Sequence, residues 1–219
     1  MKMNLNVVFL LTGSLAIFLV LVCGIATAQE CNIAVVENKL PGENNATNNV
    51  ADEFEEEVNN DIHVVRAGNL TEMSSNVLKK FNELGCDCIK NLYIVGHGFG
   101  GNLSVGNGEK GLDDTKRINK NNSTYWFFPL HDLTGPLCTF STVWLVGCRV
   151  GHCQNARTML YEVASQMKTI VKAPVDKITT YIKGHKEVGE GVIAYKNSGR
   201  WQVASAFTNG KPDHMEKSA

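Results

Sequence analysis

The chain has 219 residues, with 21 Lys and Arg against 22 Asp and Glu, and a formal net charge of −1. That length allows one domain of ordinary size with a full core. The near-neutral balance and the lack of any basic stripe exclude a nucleic-acid binder.

The first 28 residues have the pattern of a signal peptide. Lys2 supplies the positive start, residues 7–23 are apolar and almost uncharged, and Ala26-Thr27-Ala28 is a small-x-small cleavage site. Cleavage after Ala28 and retention as a membrane anchor both stay open, and the well-formed site favours cleavage. Either outcome places the folded part outside the cytosol, secreted or extracytoplasmic, with membrane contact only if the segment is retained. Six cysteines follow: Cys31, Cys86, Cys88, Cys138, Cys148 and Cys153. In an oxidising compartment such a set is expected to form disulfides. Sequons begin at Asn45, Asn69, Asn102, Asn121 and Asn122, a frequency that chance supplies in an Asn-rich chain.

Taken in order, residues 31–38 are the first strand of the mature chain. Residues 39–49 are polar and contain Pro41-Gly42, a loop pattern. Val50, Phe54 and Val58 suggest a short surface helix whose outer face is acidic. Residues 61–66 form a second strand. Asn69 with Glu72 resembles a helix cap. Met73, Val77, Leu78, Phe81 and Leu84 continue it as an apolar stripe that Gly85 ends. Residues 92–96 are an apolar strand, and residues 100–107 suggest a small one. Residues 108–123 are a long polar insertion, expected to be a mobile surface loop. Tyr125, Trp126, Phe127 and Phe128 then return the chain to the core or to a pocket wall, before a turn at 132–136.

Residues 142–146 are an apolar strand of the kind buried on both faces. Ala156, Met159, Leu160, Val163, Ala164 and Met167 give the clearest helix. Residues 169–172 form a short strand broken by Pro174, and residues 178–182 another extended piece. Residues 192–195 and 201–206 read as a β-hairpin across Asn197-Ser198-Gly199. The tail from Thr208 is polar and expected to be disordered. The alternation of strands and helices over residues 29–207 predicts a three-layer α/β domain with a mostly parallel central sheet.

Two stretches share one pattern. Residues 92–101, LYIVGHGFGG, and residues 142–153, TVWLVGCRVGHC, each run from an apolar strand to a glycine and then to a reactive side chain. His97 and Cys148 are thus expected at equivalent carboxyl ends of parallel strands, where open α/β sheets bind ligands. A thiol there, just before a helix, would gain thiolate character from the helix N-terminus. A nucleophile, a proton shuttle and oxyanion donors are what thiol-based acyl transfer needs. Gly98 and Gly147 leave room for a carbonyl to approach the amides of Gly98 and Cys148. The bland readings stay open beside this one: a satisfied histidine in a glycine turn, and a buried thiol or a Cys148–Cys153 disulfide. Cys31, Cys88 and Cys138 precede strands, at the opposite edge. A strand of six residues spans about 20 Å, beyond disulfide reach of Cys148. A zinc site from Cys148, His152 and Cys153 has irregular spacing and no second ligand pair at that edge. His152 is a rival base. No cofactor or metal is expected.

The motifs resemble those of the caspase-like cysteine peptidases, the clan of caspases, gingipains and clostripain. The 51 residues from His97 to Cys148 are similar to the caspase spacing of about 50. A His-Gly-x-x-Gly segment, a Leu-x-x-Gly-Cys segment and a following helix are closest to caspase-fold domains of bacterial surface and secreted proteins. The likeness spans about residues 31–206. It implies a Cys148–His97 dyad, backbone oxyanion donors at Gly98 and Cys148, and a peptide or protein substrate. The caspase signature Q-A-C-x-G is replaced here by residues 146–150, VGCRV. Asp132 and Glu187 are the candidates for a pocket that takes a basic residue. The alternative is a non-catalytic secreted recognition domain on the same fold, binding through residues 108–128. An α/β hydrolase is disfavoured because no Gly-x-Ser-x-Gly elbow occurs.

Overall fold

The computed structural model describes residues 28–38, 62–106, 113–175, 200–205 and 212–217. The strands are β1 (Glu30–Glu37), β2 (Ile62–Ala67), β3 (Cys88–Val95), β4 (Gly98–Phe99), β5 (Asn102–Ser104), β6 (Arg117–Asn119), β7 (Leu137–Val146), β8 (Ile170–Pro174), β9 (Arg200–Ser205) and β10 (Pro212–Lys217). The helices are α1 (Leu70–Leu84), α2 (Ser123–Asp132) and α3 (Gln154–Met167). Seven strands form one sheet in the order β10-β9-β8-β7-β3-β1-β2. Pairing is parallel from β2 through β8 and antiparallel at β9 and β10. The α/β class with a mostly parallel sheet follows.

The connections β2 to β3, β3 to β7 and β7 to β8 all move the same way across the sheet. Right-handed crossovers then put their helices on one face. There Met73 and Val77 of α1, Trp126 and Leu130 of α2, and Met159, Leu160 and Val163 of α3 meet Ile33, Leu92, Ile94, Val143 and Leu145. The other face carries a separate buried cluster of Ala34, Val36, Ile62, Tyr93, Val95 and Val146. Tyr93 stacks there on Trp144, which lies under the Lys172 ammonium. Burial pushes the Tyr93 hydroxyl well above its usual titration range.

Local chemistry sets the element ends. Asn69 Oδ1 accepts from Glu72 N at 2.9 Å, and Glu72 reaches back to Gly68 N at 2.7 Å, one residue earlier than the usual reciprocal cap. Gly85, at φ 65°, takes the left-handed position that ends α1.

Several expectations change. Residues 124–130, expected in the core or at a pocket wall, form most of a helix that is only partly in the core. Trp126 is buried and donates to Asn119 O, while Tyr125, Phe127 and Phe128 are exposed. The insertion expected to be mobile is ordered from residue 113 onward. Asn122, only 2% exposed, donates from Nδ2 to the carbonyls of Asp114 and Arg117 and accepts from Asn119 N. Its amide is therefore occupied, whereas the adjoining sequon residue Asn121 is exposed. In the polar tail, residues 212–217 are not disordered but pair with β9. The expected helix at 50–58, the extended piece at 178–182 and the hairpin arm at 192–195 lie outside the described residues, as does the leader. Among the described residues no helix is long and apolar enough to cross a membrane.

Asn122→Ala removes the partner of three backbone groups, and the unfolding free energy is expected to fall by about 2–4 kcal/mol. Urea denaturation measures it. A loss below about 0.5 kcal/mol would show that the Asn122 bridges contribute nothing to the fold.

Candidate functional site

The site forms where three parallel strands end together. From β1 the chain goes to β2 on one side and then to β3 on the other, so the sheet reverses direction between β1 and β3. Ligands bind at the carboxyl ends beside such a switch point. Val36 pairs with Val95, and Val95 with Val146. Gly96 N donates to Val146 O at 3.0 Å, which carries the register one step further. Glu37, Gly96 and Gly147 thus share one level, and His97 and Cys148 stand at the next.

Glu37 closes β1 and is 1% exposed. Its Oε1 lies 3.3 Å from Nε2 of His97, whose side chain is half exposed. A carboxylate this buried needs donors or a cation, and the imidazole is one. Gly96 lets the Ser104 backbone come close beside this pair. A Cβ there would overlap the Ser104 carbonyl and stand 3.5 Å from Glu37 Oε2. Ser104 N donates to His97 O at 2.8 Å, so β5 fixes the histidine backbone.

Cys148 is half-buried at the start of a tight loop. Val150 is fully buried and anchors that loop, with Gly101 N donating to Val150 O and Gly151 N to Pro174 O. Arg149 (φ 56°) and Cys153 (φ 86°) are both left-handed, a conformation that costs an ordinary residue energy. Gly98 packs directly on this loop. Its absent Cβ would sit 2.7 Å from Gly147 C and 2.9 Å from Cys148 N. His97, Gly98 and Cys148, the three site residues expected from sequence, thus stand at neighbouring strand ends, with Gly98 against the Cys148 backbone.

Three expectations about the site need correction. Residues 149–153 separate Cys148 from α3, and Cys153 is the N-cap. Cys148 therefore does not directly precede the helix, as its place in the sequence pattern implied. The glycine spaces are also not open to a ligand: Val150 and the Cys148 backbone fill that beside Gly98, and Leu103, Val150 and the Gly96 carbonyl fill that beside Gly147. Asp132 ends α2 next to the turn whose Pro136 O accepts from Ile89 N, at the amino end of β3 and away from the site. Glu187 lies outside the described residues. Among the described residues, Cys148, His152 and Cys153 do not converge as metal ligands. The grouping with metal-ligand spacing is Glu30, Cys88 and Cys138, and its two sulfurs are joined as the Cys88–Cys138 disulfide.

Sequence reasoning missed Glu37. Its signal was available: the apolar run 33–36 ends in a charged residue in the same way that the His97 and Cys148 strands end in glycine.

Gly96→Ala is expected to cost about 1–3 kcal/mol, because the new methyl meets backbone that cannot yield. Gly135→Ala, where nothing lies within 4 Å, should change stability by less than about 0.5 kcal/mol. Equal urea midpoints for the two variants would contradict the tight Glu37–Gly96–Ser104 packing.

No protein-family model matches this chain, and neither does any curated protein or solved structure.

Proposed function

We propose that this chain is an exported, caspase-like cysteine endopeptidase in which Cys148 is the nucleophile, His97 the proton shuttle and Glu37 the residue that positions His97. The observation that carries the reading is the 3.3 Å contact between the buried Glu37 carboxylate and His97 Nε2, at the sheet edge where Cys148 also emerges. Nucleophile, base and orienting acid from three adjacent strand ends match the general logic of an activated nucleophile. The three-layer form is supported by the second face of the sheet, where Ala34, Val36, Tyr93 and Val146 are as buried as the residues under the helices.

With Nε2–H donated to Glu37, the lone pair on Nδ1 accepts the Cys148 proton. The thiolate attacks a peptide carbonyl and gives a tetrahedral oxyanion. The tetrahedral species collapses to a thioester as His97 protonates the leaving amine. Water, deprotonated by His97, then releases the acid. Glu37 holds one tautomer and one ring orientation throughout.

A second reading, a recognition domain without catalysis, is favoured by the aromatic face of α2. Phe127 stacks on His131 and meets Phe128 edge to face, and Phe128 is 68% exposed.

A fluorogenic peptide library assayed with the secreted protein decides between them. Cys148→Ala should lose hydrolysis by at least about 10³-fold with an unchanged thermal midpoint. Glu37→Gln should lower kcat by about 10²–10⁴-fold with KM nearly constant, the signature of a lost positioning group. Hydrolysis that survives Cys148→Ala would sink the assignment. A library left untouched by the intact protein would favour the recognition domain.

A further inference from the structure

We propose that Cys31 and Cys86 are joined by a second disulfide in the exported protein, so that four cysteines clamp the amino edge of the sheet and Cys148 and Cys153 alone remain thiols. This rests on the export leader and not on peptidase activity.

The amino edge is already drawn together at this point. Gln29 N donates to Asp87 Oδ2 at 2.8 Å, Asp87 N donates to Gln29 O at 2.9 Å, and Glu30 pairs with Cys88. The Cys31 thiol lies inside this clasp, 3.7 Å from Cys88 O, with the Cys86 thiol as its neighbour. Cys31 is buried, and Cys86 is half-buried against the same apolar cluster. The neighbouring Cys88 and Cys138 are already bonded to each other, and Cys148 lies at the opposite edge. Cys86 is therefore the partner within reach of Cys31. Cys86 follows the left-handed Gly85 and precedes β3, so its backbone belongs to neither element and can absorb the small closure from contact to bond.

Burial, and next the neighbouring Cys86, push the Cys31 thiol up to about 12. Once folded, Cys31 stays protonated and unreactive near neutral pH. The more accessible Cys86 is the sulfur that an incoming oxidant meets, and the bond forms as β1 docks. The oxidant is a protein or small-molecule disulfide of the export compartment. Cys86 thiolate attacks one of its sulfurs and releases the other as a thiolate. Cys31 thiolate then attacks the Cys86 sulfur of the mixed disulfide and releases the second. The two cysteines lose two protons and two electrons, and the oxidant becomes two thiols.

The test uses the full chain exported through its own leader by a cell with an oxidising export compartment. The protein is alkylated with iodoacetamide under denaturing, non-reducing conditions. It is then digested with a protease that cuts before Asp87, which separates Cys86 from Cys88, and mapped by mass spectrometry. Linked Cys31–Cys86 and Cys88–Cys138 peptides are expected, with alkylation at Cys148 and Cys153 only. Cys86→Ser should expose Cys31 to alkylation and lower Tm by about 5–15 °C. That difference should vanish when both proteins are reduced. Alkylation of Cys31 and Cys86 in the wild-type protein, or linkage of either to another cysteine, overturns the proposal whether or not the variant folds. No peptidase assay enters, so the outcome is independent of the catalytic reading.

Discussion

The parallel pairing of β3 with β7 is the constraint on which the rest depends. It runs from Asn91 against Thr142 to Val95 against Val146 without a break. Because side chains alternate along a strand, a slip of one residue would send Ile94 and Leu145 to the wrong face of the sheet. The helix-side core therefore fixes the register. The register in turn fixes the meeting of His97 and Cys148, which are far apart in the chain. Burial of aliphatic side chains is thus the force that sets the geometry of two polar ones. Upstream the same pair of strands is irregular. Leu137 pairs with Ile89 but Thr142 with Asn91, so the intervening residues of β7 bulge out and leave Phe140 exposed at φ 62°. The irregularity is confined to the amino half, and the half that carries the site is regular.

The two ends of the sheet have opposite chemistry. At the amino edge Cys31 and Cys138 are buried, Cys86 and Cys88 are half-buried, and Cys88 is bonded to Cys138. At the carboxyl edge the cysteines are more accessible and stand among exposed His97, Arg149 and His152. The chain uses one residue type for holding and for possible reaction, and position along the strand separates the roles.

Much of this was legible in the sequence because apolar runs ending in glycine mark buried strands directly. The strands 92–96 and 142–146, the helix from Ala156 and the cap at Asn69 all follow from local pattern. What failed to show depends on contacts distant in sequence. Glu37 looks like the point where β1 leaves the core, and only the neighbouring strands make it buried. The run of α2 aromatics suggests a shared place in the core, yet of the four only Trp126 is buried, held by Asn119 O, and the helix accommodates Pro129. The order of the 113–122 segment comes from β6 pairing with β5, from buried Ile118 and from Asn122 bridging backbone groups, which composition cannot express. β10 is held by main-chain pairing with β9, and its polar side chains gave no sign of it. The distance of Cys148 from α3 depends on the left-handed turns at Arg149 and Cys153, which an alternation pattern does not encode.

The Cys88–Cys138 bond joins β3 and β7 at the ends where both begin. The bond holds those two starts together even in the unfolded chain, so β3 and β7 search for their register as a joined pair. One covalent link at the amino edge thereby shortens the path to the alignment at the far edge, where His97 and Cys148 stand on neighbouring strand ends.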